Sequence, residues 1–271
     1  MNTNTILYFI AYLIIYSFAG WILESVYKSI IEKRFVNSGF LVGPFCPIYG
    51  FGALIMLISL NSLKEKPIEL FIIAFFVLSL WEYIVGLFLE KVFKTKYWDY
   101  SQSKFNIQGR ICLRNSIFWG ILGVVFICVL HPFIDSYIKL IPTNFLIYIE
   151  AIVGAVIILD GITTISTTIS FDGMVEKINE LGETIKEKVK ELNENKRERA
   201  LQVEKESYES IENIIHDLKI KQSKLKLRIY KQANRLKNAF PTMKSESISK
   251  LLGQRIDLNK LKDTLRKKDK E

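Results

Sequence analysis

Five apolar runs, at about residues 6–27, 48–63, 68–90, 113–132 and 144–170, constrain this 271-residue chain more than any other feature. A helix needs about 20 apolar residues to cross the hydrocarbon core of a bilayer, at ~1.5 Å per residue. The second run is the shortest and needs help from the Gly/Pro-rich stretch before it. The first starts at Ile6 with no basic residue ahead of it, so it reads as a retained membrane helix rather than a cleaved leader. The expected fold is therefore all-α, with a five-helix transmembrane domain.

Basic residues in the short loops orient such a domain, because Lys and Arg concentrate on the cytoplasmic side. None occurs in residues 1–27, and the first loop then holds Lys28, Lys33 and Arg34. The second has only Lys64 and Lys66, the third has six including Arg110 and Arg114, and the fourth has Lys139 alone. This alternation predicts an N-terminus outside and a C-terminus in the cytoplasm.

After residue 171 the chain changes character. Residues 1–171 carry 12 basic and 10 acidic side chains, whereas residues 172–271 carry 25 and 18 and few aromatics. The domains are thus expected at 1–171, in the membrane, and at 172–271, a charged cytoplasmic helical tail. Val175, Ile178, Leu181, Ile185, Val189 and Leu192 make one helical seam, and Ile211, Ile215, Leu218, Leu225, Ile229 and Leu236 a second, up to Pro241. A last short helix is expected past Ser245 or Ser247. Residues 172–212 are net −4 and residues 213–271 net +11. That contrast fits a coiled coil or antiparallel hairpin, or a basic arm on anionic lipid; nucleic acid is the poorer partner for a tail that starts at a membrane.

Residues 37–52, NSGFLVGPFCPIYGFG, hold four of the fourteen glycines and two of the six prolines. Such a stretch is not a plain helix throughout. It reads as a loop entering a helix at Pro47, or as a cavity-lining or re-entrant element. Ionisable groups inside spans are costly and mark sites by default. Glu24, Glu82 and Asp160 all fall in the inner half of the bilayer under the orientation above, and Glu82, Gly86 and Glu90 share a helix face. With Asn37, Gly43, Pro44 and Tyr49 they are the candidate lining of a cytoplasm-facing cavity for substrate or ion. The plainer reading pairs these carboxylates with Lys28, Arg34, Arg110 or Arg114. In the third loop Trp98, Asp99, Tyr100, Asn106 and Arg110 form the candidate lid or docking surface, although interfacial Trp and Tyr need no function.

Other chemistry is poorly represented. Three cysteines without a CxxC, and two histidines far apart in the chain, argue against a disulfide framework or a metal site. His131-Pro132 reads as a helix end. There is no GxxxxGK[ST], HExxH or GxSxG, so no catalytic residue and no cofactor is assigned.

The segments GWILESVY (20–27), VNSGFLVGPFCPIYGFG (36–52), WEYIVGLFLEKVF (81–93), YWDYS (97–101) and FNIQGRICL (105–113) resemble the CmpB-like, type IV family of ABC-transporter permeases, small bacterial multi-pass membrane proteins. The likeness covers about residues 6–170. It implies a permease-like subunit of a transporter that works with a separate ATPase subunit, and the 91–114 loop has the length to meet one. Five spans are few for a complete path, which favours a homodimer or a partner chain. Two other readings remain open. One is a membrane enzyme acting on a lipid or isoprenoid phosphate, with Arg34, Asn37 and Arg110 on the phosphate and Glu82 or Asp99 as base. The other is a scaffold or sensor working through the tail.

Overall fold

The computed structural model describes residues 3–169, 171–198, 205–246 and 248–249, and they are nearly all helical. The order is α1 (Thr3–Glu32), α2 (Pro47–Leu60), α3 (Pro67–Phe93), a hairpin of β1 (Asn106–Ile107) and β2 (Ile111–Cys112), α4 (Leu113–Val125), α5 (His131–Ile138), α6 (Thr143–Ile169), α7 (Phe171–Glu198) and α8 (Lys205–Ala239). Among the described residues four stretches are long and apolar enough to cross a membrane: Thr5–Glu32, Pro67–Phe93, Leu113–Ile138 and Thr143–Ile169. The second apolar run folds as a shorter helix. α2 has 14 residues, ~21 Å, extended by one tight turn to Leu63.

The chain forms two compact units. The first comprises Met1–Thr168 together with Leu236–Ser245, and the second Ile169–Arg235 with the chain from Glu246 onward. In the second unit Gln222 of α8 donates to the Ile178 carbonyl of α7 at 3.0 Å, and ion pairs such as Lys186–Glu183 line α7. The short helix expected beyond Ser247 lies almost wholly outside the described residues.

In the first unit α1 packs on α2 and α3 on α4, and small residues set both contacts. A Cβ on Gly20 would collide with the Tyr49 ring, and one on Gly50 with the Leu13 carbonyl and the Ser17 hydroxyl. Gly120 lies against Phe71 and Gly123 against Ala74, so α3 and α4 approach closely enough for Ser79 Oγ to donate to Ser116 Oγ at 2.7 Å. Lipid offers no hydrophobic drive between helices, so contacts of this kind supply the attraction. Gly123→Val is expected to cost about 2 kcal/mol by overpacking, read as a lower thermal midpoint in detergent. An unchanged midpoint would mean that α3 and α4 do not meet there. Tyr12, Tyr16, Met56, Leu70, Leu78 and Ile127 centre the core, while Phe18, Phe76, Phe88 and Val156 point outward, as a lipid-facing surface requires.

One element differs from expectation, and a second meets the first of its two readings. His131-Pro132 does not end a helix: residues 126–130 wind as a π turn, and the rod continues to Ile138. Pro132 stands at the start of α5, directly after the π turn, and its ring removes one N–H from the ladder of the continuing rod. Residues 33–46 are irregular and enter α2 with Pro47 in its first turn. Their polar backbone is held by α1. Val36 N donates to Ser29 Oγ at 2.9 Å, Ser38 N to Ser25 Oγ at 3.1 Å and Cys46 N to the Ser17 carbonyl at 2.9 Å. Irregular backbone in an apolar setting needs such partners.

Candidate functional site

Glu82 is the most enclosed carboxyl of the membrane helices. It is only 4% exposed, one oxygen accepting from Trp119 Nε1 at 2.9 Å and the other from the Tyr100 hydroxyl at 3.2 Å. Asn115 Nδ2 donates to the Tyr100 oxygen at 2.6 Å. All these donors are neutral, and no ion pair reaches Glu82 among the described residues. Asn115 and Trp119 are four residues apart on α4, so one helix face delivers both. Tyr100 comes from the loop after α3; burial and then the Glu82 charge push its phenol well above the ordinary range.

Tyr49 extends this cluster. Its ring lies 5.8 Å from that of Trp119, packs on Gly20, and is within electrostatic reach of both Glu82 and Glu24. Glu24 makes an ion pair with Lys28 at 2.8 Å, and Cys46 Sγ lies 3.7 Å from its other oxygen. Cys46 is itself buried, and its thiol lies against that carboxylate. Lys28 also donates to the Ala239 carbonyl and lies 4.9 Å above the Phe240 ring.

Asp160 sits elsewhere, on α6. It accepts from Val42 N at 3.1 Å, Gly43 N at 2.7 Å and Thr164 Oγ1 at 3.1 Å. Asn37 is engaged by Trp21 Nε1 at 2.6 Å and by the Val42 carbonyl at 2.7 Å, and Pro44 is exposed in the same loop. Glu90 makes an ion pair with Arg110 at 2.8 Å. The structure thus brings Glu24, Tyr49 and Glu82 together and gives Asp160 and Glu90 separate partners. Cavities flank the helices among the described residues. One of about 340 Å³ lies along α1 beside Trp21, Val26 and Phe35, and one of about 40 Å³ lies between Tyr49, Trp81 and Trp119. No carboxylate lines either.

The loop between α3 and α4 is built tightly. Gln108 and Gly109 both have φ > 0, as a type I′ turn requires, and Arg110 N closes that turn on the Ile107 carbonyl at 3.0 Å. Asn106 holds that turn through Gly109 N at 3.0 Å and Ser103 O at 2.8 Å. Trp98 donates to the Arg110 carbonyl at 2.8 Å, its ring over Gly86 of α3. Asp99 is clamped by Lys96 at 2.8 Å, by Ser101 and by Lys244. Burial alone would raise its carboxyl, but these donors, Lys244 first, hold it well below the usual carboxylate range.

Lys244 belongs to the segment Leu236–Ser245, which lies across this loop. Lys96 and Lys244 exchange backbone hydrogen bonds at 3.0 and 2.8 Å, Thr242 Oγ1 accepts from Asp99 N at 3.2 Å, and Phe240 packs edge-on against Tyr97 at 5.1 Å. Sequence reading missed this segment, together with Asn115 and Trp119. The latter two were discoverable, as polar groups four apart in an apolar run.

The family model described as "Putative ABC-transporter type IV" matches residues 11–165, more than half of the chain. The chain belongs to this family. Membership agrees with the four membrane-length helices and makes the protein a membrane protein of a transporter-like family, for which an ATPase partner is the natural suggestion. The matched residues include Glu24, Glu82, Asp99 and Asp160 and stop before α7. No curated protein and no solved structure matches the chain.

Proposed function

We propose that this protein is a permease-like subunit of a bacterial membrane transporter, passing the membrane five times with its N-terminus outside and its C-terminus in the cytoplasm. In this reading α2, although short, makes the second pass together with the loop before it. Glu82 binds a proton or a small cation, and Glu24 and Tyr49 extend its polar surroundings. One observation carries the reading: a carboxyl within a membrane-length helix, enclosed by Trp119, Tyr100 and Asn115, has neutral donors and no ion pair among the described residues. A buried charge without a partner is expensive, and such groups mark proton and ion pathways in membrane proteins.

The 91–114 loop is the natural contact for an ATPase subunit, and a homodimer would supply the rest of the path. The tail from residue 172 acts as a helical, coiled-coil-like arm whose basic half meets anionic lipid. Asn37 and Arg110, which a phosphate-handling enzyme would need, are taken up by Trp21 and Glu90, so the transport reading is the better supported.

The test is flux in vesicles of anionic and neutral lipid containing the full chain and any partner that co-purifies with it, followed with proton- and cation-sensitive dyes. Glu82→Gln is expected to lower the flux at least tenfold, and Glu82→Asp to keep part of it. Wild-type flux in the Gln variant would overturn the role of Glu82.

A further inference from the structure

Tyr12, Tyr16, Gly20, Glu24 and Lys28 recur every four residues and form one ridge of α1, ~24 Å from Tyr12 to Lys28. Its Lys28 end belongs to the cluster described above. Its Tyr12 end carries a second polar cluster that the transport reading does not use.

The Tyr16 hydroxyl and His131 Nδ1 are 2.8 Å apart. The Tyr12 ring meets the imidazole edge-on at 5.0 Å, and its hydroxyl donates to Asp135 Oδ1. Asp135 accepts from Lys139 through its other oxygen at 2.7 Å. Tyr12 and Tyr16 are buried and the imidazole is half-buried. The backbone is modified at this point: His131 N donates to the Phe126 carbonyl, five residues back, closing the π turn. Single π turns within helices concentrate at functional sites, because the extra residue re-aims the side chains that follow.

The chemistry suits one ligand. Imidazole changes charge near neutral pH more readily than any other side chain. The groups facing it are Tyr12 and Tyr16 from α1, Lys64 from the turn after α2, and Asp135 and Lys139 from its own helix. Asp135 is the one carboxylate among them, set against two lysines. A hydroxyl both donates and accepts. When the ring gains its second proton and Nδ1 becomes a donor, the Tyr16 oxygen can turn to accept from it.

We propose that His131, with Asp135, Tyr12 and Tyr16, forms a proton-binding site at the opposite end of the α1 ridge from Lys28. The site stands on its own geometry and does not depend on Glu82.

Histidine-selective isotope labelling of the full chain in detergent tests it by magnetic resonance. His131 and His216 are the two histidines, and His216→Gln assigns them. The His131 ring signals are expected to move reversibly between pH 5 and 8. Asp135→Asn should lower the midpoint by about one unit through loss of a facing negative charge. Tyr16→Phe should change the tautomer ratio of the neutral ring. Ring signals that stay fixed across that range would overturn the site, and so would a midpoint that Asp135→Asn leaves in place. If either variant fails to fold, the wild-type titration decides alone. Neither result bears on the Glu82 flux test.

Discussion

Asp160→Ala is expected to detach α6 from the loop before α2 and to lower stability by about 3 kcal/mol. The carboxylate takes two loop amides, Val42 N and Gly43 N, while Thr164 steadies it from one turn away. Hydrogen bonds to a charged acceptor are worth about 1.5–3 kcal/mol each, and a buried amide left without one keeps its full desolvation cost. α6 has little else to compensate. Gly154 and Gly161 have open space where a side chain would stand, and only a few residues of the helix are buried. The thermal midpoint in detergent reads the loss. Asp160→Asn, which keeps one acceptor oxygen, should lose about half as much. Equal midpoints for wild type and Ala would mean that the loop amides find another acceptor.

The second large effect is expected at Asp99. Its side chain is buried between Lys96 and Lys244, so Asp99→Asn removes the charge that holds two ammonium groups. Lys244 is largely exposed and Lys96 partly so, which screens both pairs; losing them costs about 1–2 kcal/mol, and here the loss falls on the docking of Leu236–Ser245. Hydrogen exchange at the Lys96 and Lys244 amides, which bond to each other's carbonyls, should accelerate on the order of tenfold at neutral pH. The pH dependence has a definite sign. The folded carboxyl is held below its usual range, so its contribution is complete above the unfolded value of about 4 and is lost as pH falls from there through the folded value. Docking should therefore be level from pH 5 to 8 and weaken only in stronger acid. Loss of protection between pH 8 and 6 would contradict this account.

The membrane helices were legible because hydropathy and span length are local properties, and four runs have both. α2 was harder: its apolar run is genuine, but Pro47 and the irregular stretch before it shorten the helix, and composition does not say by how much. The continuation through Pro132 was hidden because proline usually stops a helix, and only backbone geometry reveals a π turn. Sequence put Glu24, Glu82 and Asp160 in the membrane without saying which neighbours each would take. Lys28, four residues from Glu24, is a local partner; Trp119 and the Val42–Gly43 amides are not. The pairing of Lys96 with Lys244 joins residues almost 150 apart through backbone groups every residue has, so it left no pattern to read.

The serines of α1 give the loop before α2 a one-sided catch. Ser25 and Ser29 hold it with hydroxyls, and a helical hydroxyl has a second option, the carbonyl one turn back, which Ser17 already uses at 2.6 Å to Leu13. When the loop lifts, α1 can satisfy its own hydroxyls, and only the loop amides are left wanting. Breaking these bonds would leave the ladder of α1 intact, so the cost of releasing the loop would fall on the loop's own amides.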